Sequence, residues 1–230
     1  MFCHRCGSQA ASTDSFCPNC GTSLTPEAHL SSGQDWAAPA GVHSRTGAWI
    51  GEGWEMVKDD LSIYAGLALV TILLGSMVPF VIQGPLTAGF FIFCMNQTLG
   101  RRAEFGDLFA GFNYFIPALL ASLVIGLLVA AGTICCIIPG IMAAASCKFA
   151  YLFIVDKRMD FWSAIKASHA VVRQDYFGFC MFLVVMTLVN VLGLLCCVVG
   201  LLVTLPISIA AVTVAYRDIV GFEPTPAPAP

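Results

Sequence analysis

The residues whose types and spacing most clearly predict chemistry are four cysteines near the start of the sequence. They form two Cys-x2-Cys pairs, Cys3 with Cys6 and Cys17 with Cys20, and a glycine follows the second cysteine of each pair. Structural zinc sites take four tetrahedral ligands, and thiolates at this spacing supply them. The pattern therefore predicts one structural zinc ion in a closed coordination shell, with no open position for catalysis.

The alternative for these cysteines is a pair of disulfides, which only an oxidising compartment would favour. The first residues lack a basic segment followed by an apolar core, so we expect no cleavable secretory signal and a reducing cytosolic location. The two cysteine pairs resemble the short double-knuckle zinc ribbon of bacterial proteins, with His4 in place of the usual first proline. The resemblance implies a zinc ribbon over residues 1–24 that the metal stabilises.

Most of the remaining sequence is apolar, with 58% hydrophobic and only 11% charged residues overall. Three long stretches, bounded by Asp60 and Arg101, by Asn113 and Asp156, and by Asp175 and Arg217, contain no Asp, Glu, His or Arg. A membrane-spanning helix needs about 20 apolar residues, so each stretch is long enough for two. The sequence predicts an all-α integral membrane bundle of six transmembrane helices over residues 49–221.

The three stretches also share a layout, which predicts three repeated helical hairpins. The turns are marked by Gly84-Pro85, Pro139-Gly140 and Gly200. A short amphipathic segment precedes each hairpin and is expected to lie at the membrane interface. In the first of these segments the predicted apolar face consists of Ile50, Trp54, Val57 and Leu61. A row of small residues, Ser122, Gly126 and Ala130, is expected to let two helices approach closely.

The basic residues predict the orientation of this bundle. Nine of them fall on one side of a six-span arrangement, and the opposite turns carry none: Arg45, Lys58, Arg101, Arg102, Lys157, Arg158, Lys166, Arg173 and Arg217. Lys and Arg accumulate in cytoplasmic loops. We therefore expect a multi-pass protein of the cell membrane, with cytosolic N- and C-termini and membrane lipids as its immediate partners.

Three polar residues in the predicted spans form a candidate intramembrane site. Lys148 is the only formal charge within a span, and Asn96 and Asn190 offer polar partners. An intramembrane charge suggests function, although a lysine can instead extend its ammonium group to the interface. Both interpretations stay open at this stage.

Four further cysteines lie in equivalent turns on the side opposite to the basic residues. Cys135 and Cys136 occupy one turn, and Cys196 and Cys197 occupy the other. An oxidising compartment on that side would allow disulfides between the two hairpins. The alternative is that they are small apolar side chains packed in tight turns.

Two segments flank the bundle. Residues 25–48 are rich in Ser, Gly, Ala, Pro and Thr without helical or strand periodicity, which predicts a flexible linker. Residues 222–230 end in alternating prolines, which predict a disordered extended tail.

The repeated hairpins and the sequence Tyr-Arg-Asp-Ile-Val-Gly from Tyr216 resemble, over residues 50–221, an uncharacterised group of bacterial six-span proteins. That group includes the membrane domain fused to some glycerophosphodiester phosphodiesterases, and the resemblance implies a bacterial inner membrane.

The sequence argues against an enzyme, because the spans lack the carboxylates and histidines that most membrane enzymes use. Nucleic-acid binding is not expected, since Arg5 is the only Lys or Arg in the ribbon.

One hypothesis is a non-enzymatic membrane protein whose cytosolic ribbon recruits or senses a cytosolic or membrane protein partner, with the bundle as anchor or regulator. The alternative is a transporter or channel for a small or lipid-like solute. A polar cavity that reaches Lys148 would favour transport, and a dry apolar bundle would favour anchoring.

Overall fold

The computed structural model describes Trp36 and residues 38–77, 82–135, 137–196 and 200–222. The chain divides into two units, and all described residues belong to the second, Asp35–Pro230. Every regular element among them is helical, as the sequence predicts. The α-helices in chain order are α1 (Thr46–Asp59), α2 (Leu61–Met77), α3 (Gln83–Thr98), α4 (Asp107–Ala110), α5 (Phe115–Cys135), α6 (Ile137–Ser146), α7 (Ala150–Asp156), α8 (Phe161–Val172), α9 (Tyr176–Leu195) and α10 (Leu201–Ile219). Short 3-10 helices, Gly111–Tyr114 and Arg173–Asp175, lead into α5 and α9.

Four helical segments in the described ranges are long and apolar enough to cross a membrane. They are Asp107–Cys135, Pro139–Asp156, Phe161–Leu195 and Leu201–Ile219. The helix α2 is apolar but has only 17 residues, and α3 has 16, whereas a crossing needs about 20. The six spans and the repeated hairpins predicted from the sequence are therefore not confirmed. Polar Asn96 and Gln97 shorten the apolar part of α3, and residues 78–81, between the two helices, lie outside the described ranges.

The helix α10 is the centre of the bundle, and α1, α2, α3 and α9 pack around it. Every residue from Ala210 to Tyr216 is buried. The approach of α1 is especially close, because a Cβ atom on Gly53 would lie 2.8 Å from the backbone nitrogen of Ala211. Small residues on both helices permit this backbone contact.

The buried face of the first amphipathic helix, α1, shares Val57 with the predicted apolar face but is otherwise centred on Trp49 and Gly53. Trp49, Gly53 and Val57 are buried, whereas Trp54, which the sequence assigns to the apolar face, is 44% exposed. The indole nitrogen of Trp49 donates a hydrogen bond to the carboxylate of Asp218 at 3.1 Å. This helix therefore packs into the bundle, because glycine at position 53 brings that side against α10.

The segment before α1, residues 38–45, lies on the bundle and is called the strap below. The side chain of Gln174 holds it through both of its polar atoms. Its Nε2 donates to the carbonyl oxygen of Pro39 at 2.7 Å, and its Oε1 accepts from the N–H of Val42 at 3.2 Å. Val42 is buried as a result.

Two further contacts fix this region. The N–H of Ser44 donates to Oδ2 of Asp175 at 2.9 Å, and the ring of Trp36 meets that of Phe153 edge-on, with 4.7 Å between centroids. The sequence predicts a flexible linker over residues 25–48, but the strap is docked, because side chains just before α9 satisfy its backbone. Residues 46–48 of the predicted linker instead form the start of α1. Its residues 25–35 and 37, and the predicted tail beyond Phe222, lie outside the described ranges.

Candidate functional site

The four cysteines predicted to bind zinc, Cys3, Cys6, Cys17 and Cys20, lie outside the described residues. Within the part of the chain that the structure describes, no group of three or more His, Cys, Asp or Glu could hold a metal ion. The donor set itself fits zinc, because four thiolates match its preference for tetrahedral sulfur ligands in structural sites. When bound there, the metal would contribute folding energy to the ribbon.

Lys148 lies where one of the candidate spans is interrupted. The helix α6 ends at Ser146 and α7 begins at Ala150, with a turn over residues 147–149. The N–H of Lys148 bonds to the carbonyl of Ala145 at 3.2 Å, three residues back rather than four. Inside a membrane such a break is tolerated only where protein or a cavity satisfies the freed backbone groups.

Ser168 of α8 supplies that partner. Its hydroxyl group donates to the carbonyl of Ser146 at 2.6 Å and accepts from the N–H of Phe149 at 3.1 Å. The side chain has no exposed surface, so the two bonds are shielded from water. One hydroxyl thus satisfies both sides of the break and fixes the turn that carries Lys148.

A cavity of about 610 Å³ lies next to this turn, between α2, α3, α5, α6, α9 and α10. Most of its lining is apolar, with Phe90, Phe91 and Ile209 among the larger side chains. Its polar and sulfur-containing lining residues are Thr71, Ser76, Gln83, Thr87, Cys147, Lys148, Tyr151, Asn190 and Ser208. The volume is in the range of small-molecule sites, about 300–1,000 Å³.

Asn190 and Ser208 join α9 to α10 at the wall of this cavity. The amide Nδ2 of Asn190 donates to Ser208 Oγ at 2.6 Å and to the carbonyl of Met186 at 2.8 Å. The hydroxyl of Ser208 in turn donates to the carbonyl of Thr204 at 2.9 Å. Both hydrogens of the amide are therefore used, while its buried Oδ1 has no partner among the described residues.

The structure does not bring Asn96 into this site. Its Nδ2 donates to Oδ2 of Asp107 at 2.9 Å, and it is absent from the lining of the cavity. The neighbouring Gln97 accepts from the hydroxyl of Tyr64 at 2.6 Å and donates to Asp60 at 3.1 Å. These amides join helix ends, so only Lys148 and Asn190 of the three predicted residues share a site.

The other polar lining residues were not identified from the sequence. Thr71, Ser76 and Thr87 donate their hydroxyl hydrogens to carbonyls of their own helices at 2.7–2.8 Å, which leaves lone pairs as their remaining polar capacity. Charges and amides are rare within apolar spans and therefore indicate a site, whereas single hydroxyls there are too common to do so. The signal that could have found Ser168 is its place on the buried face of α8, four residues after Ala164.

Two of the four turn cysteines, Cys135 and Cys196, are exposed free thiols. Cys136 and Cys197 lie outside the described ranges. The disulfides between these turns therefore stay a prediction.

The lining of the cavity holds few ionisable groups. It contains one amine, one phenol and one thiol, but no carboxylate or imidazole that could act as an acid–base partner at neutral pH. Among the described residues, Lys148 forms no salt bridge. The arrangement therefore places Lys148, without an ion-pair partner among the described residues, at the wall of a largely apolar cavity.

Two comparisons with known proteins bear on this arrangement. Residues 2–24 match the model of the zinc-ribbon domain. Together with the apolar helices, this match defines a membrane protein with a zinc-binding domain.

Two uncharacterised proteins, one from Mycobacterium bovis and one from Mycobacterium tuberculosis, are each 26% identical to this chain over 167 residues. The alignments cover 73% of this chain and 50% of each relative, so the chain spans about half the length of the curated relatives it matches. The resemblance to six-span proteins and to the membrane domain of glycerophosphodiester phosphodiesterases finds no support in these comparisons. No solved structure matches the chain.

Proposed function

We propose that this is a non-enzymatic multi-pass membrane protein whose helical bundle binds a small or lipid-like solute, as a transporter or channel does. The observation that carries the proposal is the cavity of about 610 Å³ that Lys148 and Asn190 both line. The cavity reaches Lys148, but its lining is mostly apolar rather than polar, which favours a lipid-like solute over a hydrophilic one. The discontinuous helix at Lys148 supports it, because interrupted helices line the substrate sites of many transporters. A bundle that served only as an anchor would not need a half-buried lysine within a span.

The test of solute binding uses the purified full-length protein in nanodiscs of phosphatidylcholine. Native mass spectrometry should detect a co-purifying small molecule that is lost in Ala144→Trp, because the indole would fill the cavity that Ala144 lines. Leu127→Trp, at a position 70% exposed, is the matched control and should keep the molecule. An equal occupancy in the wild type and in a folded Ala144→Trp variant would contradict the proposal.

The zinc ribbon provides a second role, recruitment of a cytosolic or membrane protein partner. The match of residues 2–24 to the zinc-ribbon domain favours it, because a closed four-thiolate site offers a rigid surface and no catalytic position. Deletion of residues 1–24 should abolish co-purification of that partner from native membranes, and substitution of all four cysteines by serine should have the same effect. An unchanged set of partners after the deletion would refute recruitment by the ribbon.

The topology proposed here is six spans with both termini in the cytosol of a bacterial cell, including α2 and α3 as short, partly tilted or interrupted crossings. Two side-chain contacts support this topology, because each joins helix ends that a six-span chain would place on the same side of the membrane. Gln97 at the end of α3 contacts Asp60 before α2, and Tyr216 near the end of α10 donates to Asp156 at the end of α7.

Cysteine labelling from each side of the inner membrane tests this topology. Single cysteines at positions 101 and 158, in a background without native cysteines, should both react from the cytosolic side, as positively charged loops do. Labelling of Arg101→Cys and Arg158→Cys from opposite sides would refute the six-span arrangement.

A further inference from the structure

Resting on the proposed solute binding, the geometry points to the chemical class of the solute: we infer that the cavity takes a single-charged anionic amphiphile, whose anion meets Lys148 while its hydrocarbon part fills the apolar remainder. The two chemistries that fit are a fatty acid carboxylate and the phosphodiester of an anionic lipid. Their shared feature is one negative charge on an apolar body.

The charge of the solute follows from the inventory of the lining. Lys148 contributes one positive charge, and none of the lining residues is Asp or Glu. An ammonium group in an apolar surrounding is expensive unless an anion accompanies it. Because no described carboxylate forms a salt bridge with Lys148, the counter-charge is expected to come from the solute.

The backbone that carries the Lys148 side chain is held in place by a neighbouring helix. Lys148 lies in the turn over residues 147–149, between α6 and α7. The hydroxyl of Ser168 forms hydrogen bonds to the carbonyl of Ser146 and to the N–H of Phe149, one on each side of Lys148. A continuous helix would not need such a partner from α8. The break therefore fixes the backbone position of Lys148 beside the cavity.

The hydrocarbon part follows from the rest of the wall. The apolar side chains that line the cavity include Ala68, Ile72, Phe90, Ile125, Val129 and Leu205. Thr71, Ser76 and Thr87 have already used their hydroxyl hydrogens within their helices, so these three hydroxyls do not compete with Lys148 as donors to an anion. A small hydrophilic anion would leave this apolar surface unfilled.

The decisive experiment measures equilibrium binding of labelled probes to the full-length protein in phosphatidylcholine nanodiscs. The probes are dodecanoate, its uncharged analogue dodecanol, and acetate as an anion without a tail. Phosphatidylglycerol, exchanged into the nanodisc and counted by native mass spectrometry, forms a separate arm. We expect dodecanoate or phosphatidylglycerol to bind at least about tenfold more tightly than the uncharged probe, as a charge-assisted contact predicts. Preference for one of the two identifies the source of the anion.

The variants assign this preference to one ammonium group. Lys148→Met should lower affinity for the anionic probe by at least about tenfold and leave dodecanol binding unchanged, while Lys148→Arg should retain most of the affinity. Lys166→Met, which removes an exposed cation that lies over the Trp162 ring, is the matched control and should bind like the wild type.

The possible results separate this inference from the proposal on which it rests. Equal binding of dodecanoate and dodecanol, both lost in Ala144→Trp, would overturn the anionic class while leaving solute binding intact. Unchanged anion affinity in a folded Lys148→Met variant would overturn it as well. Tight binding of acetate alone would contradict the amphiphilic part.

Discussion

At the scale of single residues, the hydroxyl of Ser168 decides the geometry around Lys148. Ser168 lies 22 residues after Ser146 in sequence, yet it bonds to both sides of the break between α6 and α7. The lysine and Asn190 could be identified from the sequence because a charge and an amide are rare in apolar spans. Ser168 and Tyr151 could not be identified in this way, since uncharged polar side chains are common in apolar helices.

Ser168→Ala should destabilise the protein by about 1–3 kcal/mol, because the N–H of Phe149 and the carbonyl of Ser146 would lose a buried partner. Chemical unfolding in detergent micelles would measure this loss. Thr187→Ala is the control, since that exposed hydroxyl bonds only within its own helix, to the carbonyl of Leu183. Equal stability of Ser168→Ala and the wild type would show that the break does not need the serine.

Asp160 caps the start of α8 and gives a prediction on pH. Its carboxylate accepts from the N–H groups of Trp162 and Ser163 at 3.2 and 3.3 Å. A hydrogen bond from the Ser163 side chain, followed by these backbone bonds, lowers the pKa of Asp160 despite partial burial. Asp160→Ala should therefore lower the free energy of unfolding by about 0.5–2 kcal/mol at neutral pH.

The sign of the pH effect follows from the lowered pKa. The charged carboxylate stabilises the folded state above the unfolded pKa of about 3.9, and this contribution is lost as the pH falls through the lower folded pKa. The difference between the wild type and Asp160→Ala should be constant from about pH 6 to 7 and shrink below about pH 4. A difference that grew on acidification would contradict the capping role.

At the scale of elements, the packing of α1 on α10 depends on glycine rather than on an apolar face. The sequence predicts correctly that residues around 49–60 form a helix, but of the four residues of the predicted apolar face only Val57 is buried in the bundle. Hydrophobic periodicity ranks Trp54 above Gly53, whereas close packing against Ala211 admits only the residue without a side chain. Similarly, no atom lies near the Cβ position of Gly126, and Gly132 instead meets Gly140.

A pair of alanine substitutions in α1 tests this packing. Gly53→Ala would place a methyl group 2.8 Å from the backbone of Ala211, so we expect a loss of about 1–3 kcal/mol in unfolding free energy. Gly51→Ala, in the same helix with open space around it, should instead gain about 0.5–1 kcal/mol through reduced backbone freedom. Opposite signs in unfolding titrations are the expected result, and equal effects would contradict the close approach.

The strap makes a second element-scale prediction. Gln174→Ala removes the acceptor of the Val42 N–H and the donor to Pro39. Hydrogen exchange of residues 38–45 should accelerate by at least about tenfold, because two hydrogen bonds of about 1 kcal/mol each are lost. The neighbouring exposed Arg173→Ala should leave this exchange unchanged. Unaltered exchange in Gln174→Ala would show that the strap is held by other contacts.

At the scale of the whole molecule, the chain combines a ribbon expected to fold with its metal and a bundle with its own buried core. The described bundle is one of the two units into which the chain divides. Because domains with separate cores fold largely on their own, loss of the metal is expected to affect the ribbon and to spare the bundle.

Substitution of Cys3, Cys6, Cys17 and Cys20 by serine should remove one zinc ion per chain, since these residues are the predicted ligands. Elemental analysis of the purified protein measures the zinc content, and thermal unfolding of the bundle should be unchanged. Substitution of Cys94, a buried free thiol in the bundle, is the control and should retain the zinc. Retention of zinc after all four substitutions would refute the predicted site.

The sequence by itself determined the helical class, the apolar spanning segments and the zinc-ribbon match, because ligand spacing and hydrophobicity are properties of short stretches of chain. It also singled out Lys148 and Asn190. Only the tertiary structure decided that these two residues share a cavity and that Asn96 lies elsewhere. It also decided that Ser168 of α8 satisfies the backbone at the break between α6 and α7. Those features depend on how helices distant in sequence pack against one another, and local sequence patterns do not specify that packing.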